Sequence, residues 1–474
     1  MWLWEMINER PDAAATAQLY APGTAGAPGA AVRLAELTRS SSLGGQLEQL
    51  RGRVVLIAVH RALTAALACI ELDGVARRIM LCPPELDPAH LPAVIRDGEA
   101  DACVHDVGQI PINDSRIAIH VAVQHALQHE TVLRRCSHET EWVLLTSGTS
   151  GAPKLVVHTL ASLCHAFAQQ PRPREAIVWS TFYDIRRYGG LQILLRALHD
   201  GALVLGSAQE PVPQFLARAA ACGVTHISGT ASHWRRVLMS GAAGRIAPRY
   251  VRLSGEIADQ GILDALQAAY PAARVAHAYA STEAGVGFEI GDGLAGFPAR
   301  LAGRSDDGVE IRIAGEGAGT LQIRSPGTAQ RYLGQDAPAL RGADGFVDNG
   351  DQVQLREGRY YFVGRNGGII NVGGLKVHPE EIEAVINAQP WVRMSRVQGR
   401  RSPITGAVVI AEVVLVEPVL VDPSGPERPP QAELTAQILD ACRRVLPAHK
   451  VPALLRVVPA LPVSANGKLV RANA

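Results

Sequence analysis

From residue 53 to residue 281 the chain alternates short, almost wholly apolar runs with stretches of helical period, and this alternation restricts its fold more than any other feature. RVVLIAV (53–59) reads as a strand and 61–72 as a helix, and RIMLCPPELDPAHLPAVIRDGEADACVHD then reads as strand, loop, helix and strand. A short run that is apolar throughout is buried on both faces, and strand–helix–strand order needs crossover connections. Together they imply an α/β protein built on wound parallel sheets. The pattern resumes with EWVLLT (141–146), a Gly/Ser/Thr loop and a helix through HTLASLCHAFAQQ. It continues through AIVWSTF, LQILLRALHDG, ALVLG, FLARAAACG, VTHISG, RYVRLSG and ILDALQAAYPAARVAHAYAS.

From about residue 309 the period changes. VEIRIAG, GTLQIRS, DQVQLREG and RYYFVG are short alternating strands separated by turn residues, as in a small antiparallel sheet or barrel. GRNGG (364–368) is a hinge candidate, because its three glycines leave the backbone permissive. Beyond it, HPEEIEAVINA reads as a helix with Pro379 near its first position and acids in its first turn. Residues 407–416 read as a strand, 431–445 as a helix, and the Pro-rich 417–430 as a surface loop. At 474 residues the chain is too long for one small core. The expected division is a large N-terminal domain (1–365), of wound parallel sheets with a small β-barrel-like part, and a smaller, mobile α+β C-terminal domain (366–474).

Charge and cysteine usage narrow the function. The net charge of +1 gives no electrostatic reason to expect nucleic acid or an acidic membrane as partner. MWLWEMINERPD has acids and no basic region before an apolar run, so it is not a secretory leader, and RVVLIAVHRALTAALACIEL is broken by His60 and Arg61, so it is not a membrane span. The seven cysteines are scattered without a CxxC pair, which argues against zinc and a disulfide framework and fits the cytoplasm. Lys and Arg total 46, yet only Lys154, Lys376, Lys450 and Lys468 are lysines. A compact ammonium on a flexible stem is not replaced well by a planar guanidinium, so these four positions draw attention.

TSGTSGAPK (146–154) is the densest local signal. Thr146, Ser147, Thr149 and Ser150 carry hydroxyls, Gly148 and Gly151 let backbone amides approach phosphate oxygens, and Lys154 adds positive charge. It is not a Walker loop, since Ala152-Pro153 precede the lysine and Leu155 follows it.

This loop resembles the TSG(S/T)TGxPK phosphate loop of the adenylate-forming superfamily, which comprises acyl- and aryl-CoA synthetases, peptide-synthetase adenylation domains and luciferases. The later motifs of that superfamily follow in order over nearly the whole chain. AYASTEAG (278–285) is similar to YGxTE, with Ala280 in place of its Gly. The resemblance implies that Thr282 touches the α-phosphate, Tyr279 lines the nucleotide or acyl site, and Glu283 helps to hold Mg2+. Unaided, the same segment reads as a strand-to-helix turn capped by Ser281 or Thr282. VDNGDQV (347–353) resembles TGD, with Asn349 replacing Thr, so Asp351 and, in VGR, Arg365 would hold the ribose hydroxyls. RLSGEIA matches the segment lining the adenine, which implicates Ser254, Gly255 and Glu256.

NVGGLKVHPEEIE (371–383) looks most like CoA-forming members, in which Gly373 and Gly374 would line the pantetheine tunnel; on glycines alone it is equally a hairpin turn. SANGKLVR is similar to SGKxxR, so Lys468 would reach the acid carboxylate and the α-phosphate, while Lys450 in HKVP would be structural. The resemblance thus implies an ATP-dependent, Mg2+-assisted ligase joining a carboxylic acid, aryl or small to medium acyl, to the thiol of coenzyme A through an acyl-AMP, as monomer or homodimer. A carrier protein's phosphopantetheine offers the same thiol, which makes an acyl carrier protein a possible partner. A catalytically degenerate nucleotide-binding protein is the contrasting expectation.

Three departures stand out. Gly367 occupies the position where relatives carry a hinge Asp or Lys. STFYDIRRYGGLQ (180–192) lacks the aromatic-His-x-x-Gly-Leu gate and puts Arg186 or Arg187 there, with Tyr183, Asp184, Arg187 and Gly229 as acyl-pocket candidates. Asp184 is also the one acid that could be argued to hold an amino-acid ammonium. The stretch between 205 and 280 is trimmed.

Overall fold

The apolar runs form parallel strands buried on both faces. Val54–Ile57 and Arg78–Leu81 are buried at every position. The structure, a computed structural model, describes residues 2–8, 18–22, 29, 31–106, 112–124, 127–129, 136–146, 153–173, 175, 177–207, 210–315, 318–402, 406–416, 429–463 and 468–470. Two large sheets carry the N-terminal part. The seven-stranded sheet runs in the order Arg331–Leu333, Lys154–Thr159, Glu141–Thr146, Arg78–Leu81, Val54–Ile57, Ala102–Asp106 and Ile119–Val123. Its last five strands are parallel and its first two antiparallel. The eight-stranded sheet runs Gly285–Ile290, Arg274–Ser281, Tyr250–Ser254, His226–Gly229, Ile177–Thr181, Gly201–Val204, Gln18–Tyr20 and Ala31–Arg33. Its six inner strands are parallel and its two edges antiparallel.

The largest core lies between these sheets and encloses the helices Ala62–Leu72, Leu160–Ala168 and Tyr188–Asp200. Ala62–Leu72 is buried at ten consecutive positions, from Leu63 to Leu72, which is why its sequence is apolar all round. Helices Val212–Ala221, Ala231–Met239 and Gln260–Ala269 cover the outer face of the eight-stranded sheet, with Trp234 wholly buried beneath them.

One expectation needs correction. The helix expected through 158–170 starts only at Leu160, and Lys154–Thr159 is a strand that pairs back on Glu141–Thr146. The Gly/Ser/Thr segment therefore bridges two antiparallel strands, with Lys154 paired to Thr146, rather than leading into a helix. LVV has the β-branched content of a strand, and Thr159 with Ser162 forms the capping box that starts the helix one residue later.

The antiparallel part is a six-stranded sheet whose edges are the two-residue strands Phe297–Pro298 and Gly303–Arg304. These edges do not pair, but residues 299–302 join them directly, so they lie within about 18 Å of each other and the sheet curls round a core of Phe288, Phe297, Leu321 and Val353. The sheet is thus open, with its two edges joined by a short turn rather than hydrogen-bonded to each other. Beyond residue 369 a hairpin, Ile370–Val372 with Leu375–Val377, and a three-stranded sheet pack with helices Pro379–Asn387 and Gln431–Val445 around their own core, which includes Val377, Ile382, Ile386 and Val413. Among the described residues no helix is long and apolar enough to cross a membrane.

Candidate active site

Parallel strands end at a common edge, so the segments that follow them converge. The C-terminal ends of Ile177–Thr181, His226–Gly229, Tyr250–Ser254 and Arg274–Ser281, and the segments that follow them, supply the candidates Tyr183, Gly229, Gly255 and Thr282 from neighbouring strands.

Thr282 and Glu283 lie in a three-residue connection between Arg274–Ser281 and Gly285–Ile290, closed by the pair Ser281↔Gly285. This is a strand-to-strand hairpin, not the strand-to-helix turn that the sequence also allowed. Its geometry demands Gly285, whose φ is +78° and where a Cβ would come within 2.4 Å of the Gly327 carbonyl oxygen. The Ser281 hydroxyl accepts the Ala284 N–H at 2.8 Å. From behind, His158 bonds the Thr282 carbonyl through Nε2 at 2.7 Å. A carbonyl only accepts, so His158 Nε2 carries the proton, and burial lowers the pKa of this ring to about 4.

Asp351 is the hub of the next cluster. It accepts the Tyr279 hydroxyl at 2.7 Å and the Arg365 guanidinium at 2.5 and 3.2 Å. In the strand pair Val347–Arg356 and Arg359–Arg365, one register shift at Gln352/Val353 leaves Asp351 opposite Arg365. Asn349 donates to Ser281 at 2.7 Å and to Tyr279 at 3.2 Å, which ties this strand to the Thr282 turn. The Tyr279 ring stacks between Phe288 and Phe362, and burial, then Asp351, raise its phenol pKa.

Lys468 meets this cluster from the far end of the chain. A Cβ at Gly255, whose φ is +82°, would lie 3.4 Å from Lys468 Cε, so the glycine leaves room for the lysine stem. The neighbouring Leu469 N–H donates to Glu256 at 3.1 Å. The same carboxylate accepts the Ser232 N–H at 2.8 Å and hydroxyl at 3.0 Å, at the start of helix Ala231–Met239. Lys468 is exposed to solvent. The protein around it still displaces much of the neighbouring water. This desolvation and then Arg365 lower its ammonium pKa, against the pull of Glu256 and Asp351.

Of the nucleotide-loop candidates, Thr146 and Lys154 are the paired bases of the strands, whereas Ser147, Gly148, Thr149, Ser150 and Gly151 lie outside the described residues. Lys154 Nζ sits 5.0 Å from the centre of the Tyr332 ring, and the Tyr332 hydroxyl donates to Glu283 at 3.3 Å. The other Glu283 oxygen has no protein partner among the described residues. A half-exposed carboxylate with a spare oxygen fits a hard divalent cation that takes its remaining ligands from phosphates.

The acyl-pocket candidates have definite partners. The Tyr183 hydroxyl donates to the Ser254 carbonyl at 2.6 Å. Asp184 is committed to Arg186 at 2.5 Å, and Arg186 also bonds the carbonyls of Val59 and His60, so the acid locks this turn to the first sheet. Arg187 binds Glu85 at 2.6 Å and the Leu145 carbonyl at 3.0 Å, just ahead of Thr146. A Cβ on Gly229 would lie 2.9 Å from Phe182, whose ring fills that space and stacks on His233. Gly373 and Gly374, with φ of +58° and +86°, are the central pair of a two-residue hairpin turn and lie exposed with open space around them.

Ser232, His158 and Tyr332 are participants that the sequence reading missed. The sequence sign for Ser232 is the capping pair Thr230 and His233 around it. His158 and Tyr332 act across long sequence separations and leave no local sign.

The chain matches the family of AMP-binding enzymes over residues 38–333 and the AMP-binding enzyme C-terminal domain over 381–468. It is 26% identical to the benzoate–CoA ligase of Thauera aromatica over 90% of this chain and 81% of that protein. It is 29% identical to an acyl-CoA ligase of Aspergillus oryzae over 54% of this chain, a match spanning about half (49%) of that relative's length. In three dimensions it superposes on an anthranilate–CoA ligase in complex with anthranoyl-AMP with a TM-score of 0.76 and 18% identity, covering 99% of this chain and 95% of that one, so the two share a fold.

Proposed function

The chain belongs to the AMP-binding enzyme family, and on that premise we propose that it is an AMP-forming acid–thiol ligase that activates a small carboxylic acid and passes the acyl group to coenzyme A. The observation that carries this reading is the docking of Lys468 at Gly255, with Leu469 held by Glu256, close to the Asp351–Arg365–Tyr279 cluster.

In the first half-reaction an acid carboxylate attacks the α-phosphate of ATP, giving acyl-AMP and releasing pyrophosphate. Charge develops between two anions, and Lys468 supplies a fixed counter-charge where water is partly excluded. Asp351 takes the ribose hydroxyls, since a carboxylate accepts two at once, with Arg365 holding it in place. Lys154 and the hydroxyl-rich loop receive the distal phosphates. Thr282 faces the α-phosphate, on a turn braced by His158 and Asn349. Glu283 would hold Mg2+, which neutralises phosphate charge when bound. Ser254, Gly255 and the backbone beside Glu256 border the adenine, and Tyr183 lies under this strand end.

In the second half-reaction a thiol attacks the mixed anhydride and AMP leaves. Residues 1–365 and 366–474 act as two bodies, and a turn about 365–368 withdraws Lys468 and brings in the exposed Gly373–Gly374 hairpin to admit the pantetheine arm. No Cβ contact restricts Gly367 or Gly368, which suits them to such a turn.

The test is ATP–pyrophosphate exchange against benzoates, short and medium fatty acids and amino acids, repeated with coenzyme A. Acid-dependent exchange with thiol consumption is the expected result. Exchange without coenzyme A turnover points to a carrier protein's phosphopantetheine as acceptor. ATP binding without exchange for any acid refutes the ligase and leaves a nucleotide-binding protein.

A further inference from the structure

Beneath the strand end that bears Ser254 lies an unusual concentration of buried positive charge. Arg252 is two residues earlier on the same strand and so shares its face with Tyr250 and Ser254. Its side chain is only 4% exposed, and its Nε donates to Glu289 at 3.2 Å. Its two terminal amino groups have no hydrogen-bond partner among the described residues. Glu289 is not Arg252's alone, because it also binds Arg274 at 2.9 Å. Burial would push the Glu289 carboxyl up, but Arg252, Tyr250 and Arg196 outweigh it, and the group stays ionised.

A second guanidinium faces this one. Tyr188, Gln192 and Arg196 are spaced by four on helix Tyr188–Asp200 and form one stripe. Arg196 Nε and Gln192 Oε1 are buried without a hydrogen-bond partner among the described residues. Burial and then the nearby Arg252 lower the Arg196 pKa. The next carboxylate, Asp200, is occupied by the Trp179 indole at 2.9 Å and by His199 at 2.6 Å. Between Arg252 and Glu289 runs a strand that offers only the small side chains of Ala276 and Ala278 beside them on this face, which lets the guanidinium and the carboxylate meet across it.

Buried donors are nearly always paired, and buried charges are matched. Here two interior guanidiniums share one carboxylate, and the donors left over lie below the segment that holds Gly255 and Lys468. We propose that Arg252, supported by Arg196, forms an anion subsite at the inner end of the acid pocket, so that the preferred substrate carries a second carboxylate or an equivalent anionic group. This rests on the ligase reading above and specifies its substrate. Two residues of strand cover about 7 Å, which puts the second anion roughly 6–8 Å from the carboxyl being activated and selects compact diacids. A planar fork suits a carboxylate better than a lysine ammonium would, which agrees with arginine at this position.

The experiment compares acids matched in skeleton, adipate with caproate and terephthalate with benzoate, in pyrophosphate exchange by the intact enzyme. The diacid should be preferred in kcat/KM by at least about 100-fold, as expected where buried donors go unpaired with the wrong ligand. Arg252→Gln should remove or invert the preference, and Arg252→Lys should restore part of it. Should Arg252→Gln not fold, the wild-type pairs decide alone. Equal or better exchange with the monoacids overturns the anion subsite while the ligase reading stands. Exchange with none of the acids overturns both.

Discussion

Replacing Glu256 by alanine removes three hydrogen bonds with two different jobs. Two hold the start of helix Ala231–Met239 through Ser232, at 2.8 and 3.0 Å. One holds the backbone next to Lys468, at 3.1 Å. The first two concern stability, and losing a helix-start acceptor costs about 1 kcal/mol. The third concerns only the state in which the tail is docked. A hydrogen bond to a charged acceptor contributes about 1.5–3 kcal/mol, and the lower end applies at a site open to water. Removing about 1.5 kcal/mol from the docked state alone lowers the docked-to-undocked ratio roughly tenfold, which slows a step that needs the docked state by up to that factor. Adenylation by Glu256→Ala should therefore slow by up to about tenfold, read as pyrophosphate exchange at saturating ATP. Thioester formation from preformed acyl-AMP, in which Lys468 is withdrawn, should stay within about twofold. Comparing the two half-reactions on one preparation separates docking from folding, since a folding defect lowers both. Equal losses in the two, or unchanged exchange, would refute the assignment of Glu256 as the anchor of the tail.

Other outcomes follow from the same site. Lys468→Ala should slow adenylation by about 10²–10³-fold and spare the thiol step, and equal loss in both would sink its role. Asp351→Ala leaves Tyr279 and Arg365 without their acceptor, so the KM for ATP should rise about 10- to 100-fold in steady-state assays; an unchanged KM would remove Asp351 from the nucleotide site. Gly285→Ala forces a Cβ against the Gly327 carbonyl at a φ of +78°, and should cost about 1–3 kcal/mol in denaturant unfolding together with a fall in exchange; wild-type stability would contradict the turn geometry. His233, with Nδ1 accepting the Thr230 N–H at 3.1 Å, is held neutral by burial with its pKa pushed down to about 3. Its unfolded value is higher, so the unfolded chain takes up a proton first as pH falls through 6.5, and the stability this group contributes above that pH is progressively lost. Between pH 7.5 and pH 5 the loss is about 2 kcal/mol, and His233→Asn should abolish that share of the pH dependence in paired unfolding titrations.

The parallel architecture was legible because a strand buried on both faces needs unbroken apolar runs, and Val54–Ile57, Glu141–Thr146 and Tyr250–Ser254 lie within the runs that announced them. The strand Lys154–Thr159 was not legible, because LVVHT continues into an apolar helix with no punctuation and only its pairing with Glu141–Thr146 makes it a strand. Helix Ala231–Met239 was hidden by its two arginines, and the eleven-residue strand Val392–Ser402 by the run of polar residues that half of it presents outward. Within the site, Asp351, Arg365, Tyr279 and Lys468 were named from motifs, and the structure gathers them. The partners of Arg186, Arg187 and Gly229 could not be read, since Val59, Glu85 and Phe182 reach them only through folding.

The three-residue strand Arg331–Leu333 is an edge whose one neighbour is Lys154–Thr159. Its Tyr332 touches Lys154 with the ring and Glu283 with the hydroxyl. An edge strand held along one side is among the first pieces of a sheet to open. When this one detaches, the end of the phosphate segment and the acidic turn lose their shared brace in the same event. Those amides of 155–157 and 331–333 that bond across this pair are thereby expected to exchange by a single opening reaction, and nucleotide that grips both sides would slow them together.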